Sequence, residues 1–198
     1  MSTASFVLRC NWVGGFYELA IELGDRDDDR LGLALSTCWD RPGVEGCYLH
    51  TDVEPADQVR LAPTLDLLER TGHLYGLASV SPLPTLVCGC VAVRELSGRD
   101  WFCFYLPMGA LSDADHRVGA YPIGDADDSL QWREVVDEWL VELARDIFRT
   151  VPFELALIGA EVSGEVYARD LGEGVPTERA FGYLVPHDKD LEYFPATC

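Results

Sequence analysis

Three thiols, one histidine and several runs of carboxylates are the side chains here whose types and spacing could do chemistry. Cys88 and Cys90 stand two apart, so on a strand they share a side, and Cys103 on a following strand could bring them a third thiolate. Zinc would want a fourth ligand, and close-set Cys-x-x-Cys pairs are absent; the competing reading is three small buried hydrophobes. Cys103 could instead be a nucleophile if a base reached it. Asp113, Asp115 and His116, in a loop-like stretch, are the candidate acid–base partners, against the plainer reading of an exposed polar turn. Cys47 and His50 are neighbours, but their odd separation puts them on opposite faces of a strand. Asp25, Asp27 and Asp29 alternate like the opening of a calcium loop, yet Arg30 stands where the loop needs glycine and Ser36 where it needs the closing glutamate. Asp125 and Asp127 fail the same test. No Gly-x-Ser-x-Gly, glycine-rich phosphate loop, His-Glu-x-x-His or dinucleotide fingerprint is present, so no cofactor and no metal are implied.

The remaining candidate is a helix face. Glu134, Glu138, Glu142 and Asp146 recur every fourth residue and form one row, with Asp137 beside it. Like charges at that spacing repel one another, and Arg133, Arg145 and Arg149 can relieve part of the repulsion. The row is either a solvated face or a docking surface for an arginine- or lysine-rich partner.

Net charge supports the second idea and excludes others. The 198 residues carry 34 Asp and Glu against 15 Lys and Arg, a formal charge of -19. Such a chain repels phosphates and anionic membranes, so direct nucleic-acid or membrane binding is not expected and a basic protein is the partner its field favours. No run approaches the ~18 apolar residues of a membrane helix, and Met1 to Arg9 does not read as a signal peptide. A cytoplasmic location and free thiols at all seven cysteines are therefore expected.

These side chains need elements to position them. Residues 5–13 and 17–23 alternate around Gly14-Gly15 like a β-hairpin, and Leu31, Leu35, Cys38 and Trp39 recur at helical spacing up to Arg41-Pro42-Gly43. Tyr48 and Leu49 read as strand, and Leu65 and Leu68 as a short helix ended by Gly72. Residues 74–80, 85–95 and 100–107 read as an antiparallel meander whose last two strands are apolar on both faces and hence central. Residues 109–128 read as loop, with Asp128 and Gln131 capping a long helix over 129–149 that buries Trp132, Val136, Trp139, Leu143 and Ile147. Strands at 153–160, 179–186 and 191–195 and a short helix near 164–171 complete the chain.

The expected fold is a single α+β domain over 1–198: a mainly antiparallel sheet of about seven to nine strands carrying one long and two or three short helices. Glu18-Leu19-Ala20-Ile21 resembles Glu154-Leu155-Ala156-Leu157, and Tyr48-Leu49 resembles Tyr183-Leu184. Two strand-helix-strand halves, about 16–50 and 153–186, could therefore flank the meander at 74–107, unless the match is coincidence. The function expected is an acidic binding or inhibitor protein, akin in bulk properties to an immunity protein against a basic toxin. The alternatives are an enzyme or small-molecule binder with a cavity beside the meander, and a mimic of DNA's charge pattern.

Overall fold

A computed structural model describes residues 5–118, 127–172 and 174–198. Eight antiparallel strands form one sheet in the order β2-β3-β4-β5-β1-β6-β7-β8. In chain order these are β1 (Phe16–Asp25), β2 (Val44–Tyr48), β3 (Leu74–Ala78), β4 (Leu86–Arg94), β5 (Arg99–Pro107), β6 (Leu155–Ala160), β7 (Gly182–His187) and β8 (Asp190–Phe194). Four helices accompany them: α1 (Asp28–Asp40), α2 (Leu65–Thr71), α3 (Met108–Ala114) and α4 (Asp127–Thr150). The α+β architecture expected from the sequence is the one observed.

Period-two patterning decides where β1 sits. Tyr17, Leu19, Ile21 and Leu23 face α1 and α4 in the main core, whereas Ala20 faces a second core behind the sheet with Trp101, Cys103, Leu155, Leu157, Val162 and Tyr183. α1 starts where the Asp27 side chain accepts the amides of Asp29 and Arg30, each at 3.0 Å. It then lays Trp39 across Gly76, where a Cβ would stand 2.4 Å from the indole. α2 closes on Gly72 at a positive φ of 78°.

Three local expectations are corrected. Residues 5–13 do not pair with β1, whose two neighbours are already β5 and β6. They fold instead as an aromatic cap with a 3-10 turn at Arg9–Trp12, in which the Trp12 indole donates to the carbonyl of Phe6 at 2.8 Å. Of the alternating residues Phe6, Leu8, Cys10 and Trp12, Phe6 docks against Trp12 and Tyr48, whereas Leu8 and Cys10 are exposed. Residues 109–114, the start of the stretch 109–128 read as loop from its Gly, Ala and Ser content, form α3 with Met108, because Met108 and Leu111 are one helical turn apart and both buried. Near 164–171 only a 3-10 turn forms, at Ala168–Asp170.

The segments that resemble each other in sequence are connected differently. β1 and β2 are separated by three strands of the sheet, whereas β6 and β7 are neighbours. The proposed Asp128 cap and the Asp125 and Asp127 cluster involve side chains outside those described.

Candidate functional site

The candidate catalytic group does not assemble. Cys103 is completely buried in the second core, and burial pushes its thiol well above the ordinary range, the opposite of nucleophile activation. His116 is 97% exposed on the turn after α3. Asp115 spends its carboxylate on Arg117 at 2.5 Å, and that hydrogen bond holds its pKa down at about 2. Asp113 is exposed. The thiol trio also fails to converge: Cys90 sits opposite Phe104 and faces the helices with Cys88, whereas Cys103 faces the other way. The indole of Trp39 donates to Cys90 Sγ at 3.4 Å, in keeping with a structural role. All seven cysteines are free thiols, five of them buried. Among the described residues no group of three or more His, Cys, Asp or Glu is placed to hold a metal ion.

The helix row does converge on a feature. A groove of about 390 Å³ runs between α4 and β8, and Glu134, Asp137 and Glu138 line it with Leu130, Arg133, Tyr193 and Pro195. A shallower extension shares Glu138 and Tyr193 and continues past Val141, Glu142 and Arg145. The wall is acidic and the floor largely apolar.

The five acids of the row do different jobs. Asp146 accepts from Arg41 at 2.9 Å and from Arg149 at 2.6 Å, and the Arg41 guanidinium lies 4.6 Å from the centre of the Trp139 ring. This clasp joins the end of α1 to α4, and it leaves Trp139 half-buried instead of sealed in the stripe. Glu142 pairs with Arg145 at 2.6 Å. Glu134 and Glu138 are exposed, and among the described residues neither meets a cation.

Asp137 corrects the expectation of a surface acid. It is 5% exposed and accepts hydrogen bonds from the hydroxyls of Tyr17, at 2.6 Å, and Tyr193, at 2.8 Å. Burial raises its pKa to about 6, against the pull of the two tyrosines and of nearby Arg133. The same desolvation, with the charge of Asp137, pushes both tyrosine hydroxyls up. Arg133, also buried, donates through one terminal nitrogen to the carbonyls of Ala180, at 3.1 Å, and Cys198, at 3.4 Å; its Nε has no hydrogen-bond partner among the described residues.

Sequence spacing missed Tyr17, Tyr193 and the segment at Pro195, and it gave Arg133 the role of offsetting the row, whereas Arg133 is buried and donates to main-chain carbonyls. The available signal was slight: Arg133 and Asp137 are one turn apart at the border between the acidic row and the apolar stripe, where a charge can be drawn inward.

Comparisons with protein-family models, with curated proteins and with solved structures find no match. Among the described residues no helix is long and apolar enough to cross a membrane.

Proposed function

We propose that this chain is an acidic cytoplasmic binding or inhibitor protein that engages a basic protein partner through the groove between α4 and β8. One observation carries the reading: Glu134 and Glu138 stand exposed and uncompensated on the wall of an apolar-floored groove. Arginines occupy Glu142 and Asp146; Glu134 and Glu138, with no cation among the described residues, offer charge over Tyr193 and Pro195, and contact area, to a cationic side chain with an aliphatic stem. The net charge of -19 extends this attraction beyond the contact and speeds encounter with a basic partner, while opposing nucleic acid. An enzyme with a cavity beside the meander has no comparable support: none of the pockets described draws a residue from 74–107.

The test is calorimetric titration of the wild type and of the E134Q/E138Q double variant with an arginine-rich peptide at low and physiological salt. Loss of two steering charges should weaken binding by roughly three- to tenfold and flatten the salt dependence. Equal affinity and equal salt slope in the two proteins would sink the proposal.

A further inference from the structure

The two ends of the sheet are finished differently. At one end, residues 58–61 close the outer edge of β2: Leu61 N–H donates to the carbonyl of Cys47 at 3.0 Å, and the Arg60 guanidinium donates to the carbonyl of Gly46. At the other end β8 pairs with β7 alone, and among the described residues no main-chain group bonds to its outer edge. An open row of amides and carbonyls is a template for one more strand.

The side chains around that edge select what can be added. Leu191 and Tyr193 point to the helix side, where Glu138 and Glu142 of α4 overhang the strand. Glu192 alternates to the opposite side and is exposed, whereas Asp190, also exposed, starts the strand with its carboxylate turned toward Arg145 of α4. A strand laid against β8 would therefore set its side chains beside carboxylates on both faces. Arg145 offsets Glu142 and comes within 3.9 Å of Asp190, leaving Glu138 and Glu192 as the uncompensated charge. A second copy of this chain pairing through β8 would bring its own Asp190 and Glu192 against these carboxylates, which disfavours self-assembly.

We infer that the edge of β8 takes an extended basic segment of the partner as a ninth strand, its arginine or lysine side chains flanked by Glu138 of α4 and Glu192 of β8. This rests on the groove reading above and specifies its mode: main-chain hydrogen bonds supply affinity, and the flanking carboxylates supply selectivity.

The experiment uses a short peptide of alternating arginine and valine, and two further versions N-methylated at alternate amides in one register or the other. Strand addition directs only one set of amides toward β8, so one methylated peptide should bind about tenfold more weakly or not at all, while the other should bind like the parent. The E138Q/E192Q variant should bind the parent several-fold more weakly. Equal binding of the two methylated peptides would overturn strand addition; the groove reading would survive if E134Q/E138Q still lowered affinity for an arginine-rich peptide. Failure of the parent peptide to bind, or concentration-dependent dimerisation lost on replacing Glu192 with proline, would also overturn it.

Discussion

Two groups of carboxylates, at the Arg99 end of β1 and in the groove beside α4, are built on opposite principles. Glu22 and Asp100 are almost wholly buried, yet each has a cation: Glu22 meets Arg99 at 2.5 Å and the amide of Ala168 at 2.7 Å, and Asp100 Oδ2 meets Arg94 at 3.2 Å and the amide of Asp27 at 3.1 Å, while its Oδ1 has no hydrogen-bond partner among the described residues. Arg94 also reaches Asp28 and Glu69, and Arg99 reaches Glu154, so these ion pairs stitch helix, strand and loop together. In the groove, Asp137 is buried against tyrosines with no salt bridge among the described residues, and Glu134 and Glu138 are exposed. Charge compensated within the chain holds the fold, whereas charge left uncompensated is available to something outside it.

The comparison breaks most visibly at Arg99. R99M leaves Glu22 buried without its cation, so unfolding in denaturant should show a loss of about 3–5 kcal/mol. A loss below about 1 kcal/mol would mean that Glu22 is adequately held by the Ala168 amide, and the contrast between the two regions would collapse.

Asp137 gives an intermediate and pH-dependent effect. Its carboxyl keeps its proton to about pH 6 in the fold, against an ordinary value of 3.8. The group therefore favours folding fully below about pH 4, and that contribution disappears as pH rises through about 6. The difference is on the order of 2–3 kcal/mol between pH 4 and pH 7. D137N keeps an acceptor for one tyrosine and should lack this part of the decline; the slope that remains includes Glu18, whose carboxyl burial also pushes up. Superimposable stability profiles for variant and wild type would show that the proton is not held there.

The smallest expected effect lies on the groove wall. E134Q/E138Q should unfold within about 0.5 kcal/mol of wild type, since neither acid has a cationic partner among the described residues. A larger destabilisation would place these residues with Glu22 and Asp100 as fold-holding groups and remove them from the binding surface.

Much of the framework was legible in the sequence because periodicity is a local property. Strands β3 to β5, α1, α2 and α4 all lie close to where alternation, helical spacing and Gly72 put them. Residues 5–13 were misread because alternation in residue type need not mean alternation in burial: Phe6 is buried, whereas Leu8 and Cys10 are exposed, and no neighbouring strand is available to them. α3 was missed because Gly109, Ser112 and Asp113 read as turn residues and seven residues are too few to show a helical repeat, although Met108, Ala110, Leu111 and Ala114 favour helix.

For the site, the sequence by itself determined the row Glu134, Glu138, Glu142 and Asp146, since a helix repeats every 3.6 residues whatever surrounds it. Only the tertiary structure decided which of those charges remain available. Arg41 arrives from the end of α1 to claim Asp146, and Tyr17 and Tyr193 arrive from β1 and β8 to bury Asp137. Those partners lie between 56 and 120 residues away along the chain, and desolvation and ion pairing depend on distance in space, which no local pattern encodes.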